Sequence, residues 1–391
     1  MTARNLVSHL FVGRSIGAVA LIAVLLSYSG YLRAQNYEPA PPAPPPAPTP
    51  PPTQVTNTYT ATILVSNGAV PAVTMDVNLV NPWGIALGPS TPLWVANNAT
   101  STSTLYDGDG VPQQLVVNLP GGTNGPAGAT GLVFNGTQDF AINNGVAAAP
   151  ALFIFDGEGG TVLAWSPNVD QANAIVVYDD GAGGAVYKGL AIAANNGANF
   201  LYATDFHNGK VDMFDGAFQK VTAPGGFVDP ELPAGYAPFG IQALPRNGQT
   251  VIFVTYAQHA TDSDEDVPGP GLGIVNVFDT QGTLLQRLVP AGGNLNAPWG
   301  VALAPANFGA LSNLLLIGNF GDGTINAYDP NTGAFVDTLR DASGQPIVNE
   351  GLWGMAFGNG ASNLPTNTLF FAAGIADETA GIFGRIDPPA Q

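Results

Sequence analysis

The stretch Asn81-Pro82-Trp83-Gly84-Ile85-Ala86 decides the fold, because variants of it return five more times along the chain. In each copy a glycine precedes an apolar residue, usually with an aromatic or basic residue just ahead of it. The glycines lie at positions 84, 131, 189, 240, 300 and 354, which places them 47 to 60 residues apart. A unit that repeats at this period indicates a repeat architecture, in which each copy is one supersecondary unit.

Each copy continues with further short apolar segments separated by turn residues. In the fifth copy these are Leu314–Ile317 and Ile325–Asp329. Such β-branched or aromatic runs bounded by Gly, Pro and Asn predict strands, and no helical period follows residue 55. Four strands repeated six times predict an all-β, six-bladed β-propeller. The aromatic residue beside each glycine is expected to wedge between neighbouring blades, and the Asp that ends each third strand to cap a turn.

The two ends of the repeat region predict how the ring closes. The sixth copy stops after its third strand, at Asp387, and one unassigned strand, Tyr59–Val65, precedes the first copy. If that strand supplies the fourth strand of the last blade, no open sheet edge remains there. We therefore expect the last blade to be closed by the N-terminal strand.

The N-terminal region has the pattern of an export signal. Arg4 and Arg14 precede the apolar stretch 16–28, which is typical of a secretory signal peptide; an uncleaved anchor is the alternative. A Pro/Ala tract follows and predicts a stiff, extended spacer. The mature chain is expected to be extracytoplasmic, periplasmic or secreted, without a membrane span. The expected divisions are a signal peptide at 1–35, a Pro-rich spacer at 36–56, the six-bladed propeller at 57–388 and a tail at 389–391.

Composition narrows the classes of partner. The chain has 28 acidic and 10 Lys or Arg residues, a formal net charge of −18, and every acidic residue follows residue 35. This acidity argues against nucleic acid and anionic membrane surfaces as partners, and weakly favours cations. The absence of cysteine excludes disulfides, thiol catalysis and thiolate metal sites.

These repeats resemble a poorly characterised family of secreted bacterial β-propeller proteins over most of residues 59–388. Their spacing is also similar, more distantly, to that of NHL-type propellers. The resemblance implies a propeller fold and export, and no particular reaction. Its more specific segments are Asn81-Pro82-Trp83-Gly84, Gly269-Pro270-Gly271-Leu272-Gly273, Gly318-Asn319-Phe320-Gly321-Asp322-Gly323 and Gly351-Leu352-Trp353-Gly354.

Strand order predicts which polar side chains share a ligand face. Loops that lead into first strands lie on the same face as loops that join second to third strands. Propellers commonly bind ligands on one such face, so these loops hold the candidate ligand-binding residues. The candidates are Asn81, Asn97, Lys188, Asp205, His207, His259, Asn319 and Glu350.

Two groups within that face suggest more specific chemistry. Asp262, Asp264 and Asp266 alternate in one loop and could converge on a hard cation such as Ca²⁺, although a solvated acidic loop is the alternative. His207 and His259 fall in neighbouring blades and could ligate a metal or transfer protons. They could equally be exposed loop residues.

The sequence leaves two functions open. The first is a binding or scaffold module in the bacterial envelope or outside the cell, with an unidentified ligand or an envelope protein as partner. The alternative is a divalent-metal-assisted hydrolase, lactonase-like, at the channel mouth, and whether the chain is an enzyme stays open. In that alternative Asn97, Asp205, Asn319 and Glu350 would hold the metal, which would polarise a carbonyl and activate water.

Overall fold

Six antiparallel sheets surround a central channel in the computed structural model, which describes residues 57–389. The chain is therefore an all-β, six-bladed propeller, as the repeats predict. In the described part of the chain, two short 3-10 helices span Gly181–Gly183 and Gly309–Leu311. The predicted signal peptide and spacer lie outside the described residues. Within residues 57–389, no helix has the length and apolar character needed to cross a membrane.

Each blade runs from the channel outward through four strands. In blades 1 to 3 these are Pro82–Ala86, Leu93–Asn97, Thr102–Tyr106 and Val117–Asn118; Ala129–Phe134, Phe153–Gly157, Thr161–Trp165 and Ile175–Asp179; and Tyr187–Asn195, Ala198–Asp205, Lys210–Phe214 and Lys220–Val221. In blades 4 to 6 they are Tyr236–Arg246, Gln249–His259, Ile274–Phe278 and Leu284–Val289; Pro298–Leu303, Leu315–Asn319, Ile325–Tyr328 and Phe335–Thr338; and Leu352–Phe357, Leu369–Ala373, Ile382–Asp387 and Thr60–Ser66.

Four additional short strands decorate these blades. A hairpin of Ala141–Asn143 and Ala148–Pro150 is inserted after the first strand of blade 2, which lengthens that repeat. Asp266–Val267 pairs with the second strand of blade 4, and Thr74–Met75 pairs in parallel with Thr60–Ser66.

The six repeated glycines, here called the ring glycines, explain why the first strands can approach so closely. A Cβ on Gly84 would lie 2.4 Å from the backbone oxygen of Thr130 in blade 2, well inside contact distance. The same relation runs around the ring to Gly354, whose Cβ would lie 2.4 Å from the backbone oxygen of Trp83 in blade 1. A side chain does not fit where backbones approach this closely, so glycine is required.

The N-terminal strand closes the last blade, as the sequence predicts. Thr60–Ser66 pairs antiparallel with Ile382–Asp387, from Thr60 opposite Asp387 to Ser66 opposite Ile382. Tyr59 anchors this strand, because its hydroxyl donates to the Phe308 carbonyl at 2.8 Å and accepts from the Leu311 amide at 3.1 Å. The closing strand is therefore held both by its own blade and by blade 5.

The repeated aspartates cap turns in most copies. Asp107 Oδ1 accepts from the amides of Asp109 and Val111, and Asp279 Oδ1 accepts from those of Gln281 and Thr283. The last copy differs, since Asp387 instead accepts a hydrogen bond from the Thr368 hydroxyl at 2.7 Å.

The hydrophobic core lies between neighbouring sheets. One cluster, for example, joins Val133 and Ile154 of blade 2 to Leu190, Leu201 and Phe214 of blade 3. Full burial of such side chains contributes roughly 1.5–3 kcal/mol each. Because each sheet packs on both neighbours, the ring has no unpaired face between blades.

Candidate functional site

One end of the channel is filled by aromatic rings from the residues that precede the ring glycines. We call Trp83, Phe239, Trp299 and Trp353 the aromatic plug. Trp83 stacks on Trp353 with centroids 3.4 Å apart, and also meets Phe239 edge-on at 6.5 Å from the opposite side of the ring. The expectation that these residues wedge between blades is therefore wrong. The rings instead extend toward the channel axis, next to the level of the ring glycines.

Lys188 occupies the corresponding position in blade 3, where the other blades have an aromatic residue or Thr130. Its side chain is almost completely buried, and its Nζ lies 2.6 Å from Oε1 of Glu158. The ammonium also lies 5.3 Å from the ring centroid of Trp83 and 5.7 Å from that of Phe206. The aromatic plug thus carries one buried cation, held by an ion pair and by cation–π contacts.

Burial disfavours the charged form of Lys188, yet the charge and hydrogen bond of Glu158 outweigh it. Together with the charges of Glu265 and Asp266, they raise the pKa of Lys188 above its ordinary value. Lys188 is therefore a fixed cation at neutral pH, so it supplies no neutral amine for nucleophilic chemistry.

Four carboxylates surround this single ammonium, and we call Glu158, Glu265, Asp266 and Glu378 the carboxylate cluster. Burial, opposed by Lys188 and reinforced by Glu378 and Glu265, raises the pKa of Asp266 to about 7. Burial also raises the pKa of Glu378. A hydrogen bond from Asn81 lowers that pKa, and the negative charge of Glu158 raises it further. Negative charge therefore exceeds positive charge at this end of the channel.

Two oxygens of the carboxylate cluster are left without hydrogen bonds. Oδ2 of Asp266 and Oε1 of Glu378 are both inaccessible to solvent, and neither has a partner among residues 57–389. By contrast, both oxygens of Glu158 are used, since Oε2 accepts from Nδ2 of Asn98 at 2.8 Å. Buried acceptors without partners are costly, so each of these two atoms lacks a donor that would stabilise it.

A strained turn positions Glu378. Ala376, Asp377 and Glu378 all have positive φ, at 56°, 51° and 63°. Each such non-glycine residue costs about 1–2 kcal/mol. Glu350 supports the turn, because its Oε1 accepts from the Ala376 amide at 3.1 Å. Strain of this kind is often retained at functional sites.

The structure brings both predicted histidines to one carboxylate. Nδ1 of His207 lies 2.6 Å from Oδ1 of Asp264, and Nε2 of His259 lies 3.4 Å from the same oxygen. His259 also stacks on Phe206, with centroids 4.7 Å apart. The loop between His259 and the strand Asp266–Val267 therefore contacts blade 3 through Asp264 and His207.

The three aspartates of the predicted calcium loop point to different partners. Asp264 contacts the two histidines, Asp266 belongs to the carboxylate cluster, and Asp262 is exposed. Across residues 57–389, no group of three or more His, Cys, Asp or Glu side chains is placed to hold a metal ion. The predicted Ca²⁺ ligands are thus not brought together.

Three of the other candidates serve the blades themselves. Asn97, Asp205 and Asn319 are fully buried at the ends of second strands. Asn97 donates to Thr104 Oγ1 at 3.0 Å, while Asp205 and Asn319 accept from backbone amides. Asn81 is the exception, because its Oδ1 accepts from Nε1 of Trp353 at 3.2 Å and its side chain also contacts Glu378.

Sequence reasoning missed Glu158 and Glu378 as site residues. Glu158 and Glu378 lie in loops between second and third strands, on the predicted ligand face. The stretch Gly157–Gly160 has the appearance of a simple strand connection, and the second strand of blade 2 has no clear motif. The signal that could have found Glu158 is its loop position, once Phe153–Gly157 and Thr161–Trp165 are assigned as strands.

Comparison with known proteins shows relatives in a virus. An uncharacterised protein of Acanthamoeba polyphaga mimivirus is 33% identical over 347 residues, covering 85% of this chain and 81% of its own. A second uncharacterised mimivirus protein is 31% identical over 336 residues, covering 84% and 86%. No family model matches the chain. These findings give no support to a bacterial origin or to NHL-type repeats.

Solved structures share the fold at low sequence identity. The soluble aldose sugar dehydrogenase of Escherichia coli, in its apo-form, matches with a TM-score of 0.50 and 12% identity, covering 85% of this chain and all of its own. A streptogramin B lyase matches with a TM-score of 0.45 and 12% identity, covering 84% and 97%. At this identity the likeness shows the propeller fold alone.

Proposed function

This chain belongs to the family of the uncharacterised mimivirus proteins, and we propose that it is a binding module whose carboxylate cluster takes an ammonium group. The ligand is an organic amine that approaches from the aromatic end of the channel, and side chains there must move aside to admit it, because the two target oxygens are inaccessible to solvent. Its ammonium donates hydrogen bonds to Asp266 and Glu378, while Lys188 and Glu158 remain paired with each other.

The main support for this proposal is that one buried oxygen of Asp266 and one of Glu378 accept no hydrogen bond. Both carboxyl groups are desolvated and lie near further negative charge, which raises their pKa values. A cation that donates to both oxygens would satisfy the two acceptors and reduce the repulsion in one step. An anionic or neutral ligand would leave that repulsion in place.

The surroundings favour an organic cation over a metal ion. The walls are aromatic, with Trp83 and Phe206 beside the cluster, and such rings attract ammonium groups. Lys188 supports this choice, since its own ammonium contacts a carboxylate and two aromatic rings.

The metal-assisted hydrolase finds less support in the same residues. Three of the residues proposed as metal ligands, Asn97, Asp205 and Asn319, make hydrogen bonds within their own blades. The fourth, Glu350, accepts a hydrogen bond from the strained turn. The ligand set proposed for the metal is therefore already engaged in holding loops.

Titration calorimetry with n-butylammonium as the probe tests the proposal. We expect saturable binding by the wild type at pH 8, at least tenfold weaker binding by the double variant Asp266→Asn/Glu378→Gln, and wild-type binding by Glu231→Gln, which removes an exposed carboxylate elsewhere. Butanol and Ca²⁺ are the matched controls. Equal affinity in the wild type and the double variant would overturn the proposal, as would a response to Ca²⁺ without one to the ammonium.

We also propose export of the mature protein, as an expectation from residues 1–35 alone. Arg4 and Arg14 ahead of the apolar stretch 16–28 support it. N-terminal sequencing of the chain recovered from the culture medium tests this. An intact Met1 on protein found only inside the cells would contradict it.

A further inference from the structure

The opposite end of the channel holds a separate cavity of about 300 Å³. It lies where the first strands end, beyond the ring glycines, and we call it the lower cavity. Its walls include Leu87, Phe134, Ile192, Met355 and Phe357. Its volume is at the lower end of the range of small-molecule pockets.

The sequence explains why space remains there. Two residues after each ring glycine the side chain is small in most blades, so the wall stays thin at this level. The residues are Ala86, Val133, Ala191, Gln242, Ala302 and Ala356, and all of them except the buried Ala302 line the lower cavity. Only Gln242 departs from this apolar pattern.

Gln242 brings a free amide to the wall of the lower cavity. It is exposed even though it lies on the innermost strand of its blade, and its side chain makes no hydrogen bond within residues 57–389. It is the only polar side chain among the residues that line the cavity, and none of those residues is charged.

The lower cavity is closed toward the other end of the channel. Between it and the aromatic plug lies a waist with room for only about 20 Å³, which is lined by four of the ring glycines, by neighbouring apolar residues and by Gln242. Above the waist, Trp83 and Trp353 stack across the axis. A molecule entering from this side therefore cannot pass through the propeller.

We propose that the lower cavity binds a small, uncharged molecule with an apolar body and at least one hydrogen-bonding group for Gln242. The lining supports a neutral occupant, because a charged one would lose its hydration without gaining a counter-charge. Apart from Gln242 the lining side chains are apolar, and main-chain groups of the first strands supply further polar surface for hydrogen bonding. This site is independent of the carboxylate cluster, which lies at the other end of the channel.

Fluorescence titration with N-phenyl-1-naphthylamine tests the proposal, because the dye is neutral, apolar and carries one N–H donor. We expect saturable enhancement with one site per chain. Its anionic analogue, 1-anilinonaphthalene-8-sulfonate, has the same ring skeleton plus a sulfonate and should bind at least tenfold more weakly.

Two variants locate the site. Ala356→Phe fills the lower cavity and should abolish binding, whereas Ala217→Phe makes the same change in an exposed turn outside it and should bind as the wild type does. Gln242→Leu keeps the shape and removes the amide, so we expect roughly three- to tenfold weaker binding of the dye. That variant also keeps the site testable if Ala356→Phe fails to fold.

Dye binding that survives Ala356→Phe unchanged would overturn the proposal, as would equal affinity for the anionic analogue or no saturable enhancement. Asp266→Asn/Glu378→Gln should bind the dye as the wild type does. Failure of the ammonium site and failure of the lower cavity are thereby distinguished.

Discussion

Trp83 and Trp353 stack face to face at the point where the propeller ring closes, with ring centroids 3.4 Å apart and planes 15° apart. Trp83 belongs to the first blade and Trp353 to the last, so this contact joins the two ends of the repeat region. Nε1 of Trp353 also donates to Asn81, which contacts Glu378. The same ring therefore seals the fold and supports the candidate site.

Removing this ring should destabilise the whole domain. Trp353 is fully buried, and truncation of a buried Trp to Ala costs about 3–5 kcal/mol. We expect Trp353→Ala to lower the free energy of unfolding in urea by that amount, and Trp353→Phe to lose less than half as much. A Trp353→Ala protein as stable as the wild type would show that the plug does not hold the ring closed.

The ring glycines should not tolerate even a methyl group. A Cβ on Gly354 would lie 2.4 Å from the backbone oxygen of Trp83, whereas Gly293 has no heavy atom within 4 Å of its own Cβ position. We expect Gly354→Ala to lower the melting temperature by several degrees, since overpacking costs about 1–3 kcal/mol, and Gly293→Ala to leave it unchanged. Similar melting temperatures for the two variants would contradict the close approach of the blades.

Asp156 should make stability depend on pH. It is completely buried in blade 2, and burial, opposed by hydrogen bonds from Thr130 and Gly131, raises its pKa to about 7. In the unfolded chain Asp156 loses its proton above its ordinary pKa of 3.8. In the folded chain it stays protonated until the pH reaches about 7. The free energy of unfolding therefore falls from pH 4 to pH 7 on account of Asp156, and stays level above that.

Asp156→Asn removes that loss, so its stability relative to the wild type should rise from pH 4 to pH 7. Urea unfolding at intervals between pH 4 and pH 8 measures the difference, with the exposed Glu231→Gln as the control that should show no such trend. Parallel profiles for Asp156→Asn and the wild type would mean that Asp156 is ionised in the folded protein.

Lys188→Met should leave the carboxylate cluster without its counter-charge. Breaking a buried ion pair costs about 3–5 kcal/mol of folding free energy. We expect a loss of about 2–3 kcal/mol here, because the Glu158 side chain is 32% exposed to solvent and its charge is partly screened. The loss should be larger at pH 8 than at pH 5, because the raised pKa values of Asp266 and Glu378 leave these two groups more protonated at the lower pH. Adding Glu158→Gln to Lys188→Met should restore part of the stability, and a further loss in the double variant would contradict the pairing.

The repeat predicted the fold because its cause is local. A ring glycine is needed wherever two inner strands approach, and Asp107 and Asp279 each cap a turn in their own repeat. Both features are therefore visible in the sequence of a single repeat. Closure by Thr60–Ser66 was equally predictable, because the last repeat lacks a fourth strand and one unassigned strand precedes the first repeat. The aromatic plug was not predictable in this way, because only the ring geometry shows that the residues beside the glycines face one axis.

The candidate site was predictable only in part. Strand order placed Lys188, His207, His259 and Asp266 on one face, and the structure puts all of them around Phe206 or Lys188. It could not show that Asn97 and Asn319 turn into their blades, because that depends on side-chain hydrogen bonds. Glu378 reaches the site through a strained turn that has no glycine to mark it.

Proton release on ammonium binding tests the central claim most directly. Because an ammonium favours ionised Asp266, whose pKa is about 7, binding at pH 6.5 should release part of a proton and binding at pH 8.5 almost none. Calorimetric titration of n-butylammonium in phosphate and in MOPS buffer at both pH values measures this release. We expect a buffer-dependent enthalpy at pH 6.5 that Asp266→Asn reduces; the absence of proton release at pH 6.5, or the same release from Asp266→Asn, would contradict an ammonium site at the carboxylate cluster.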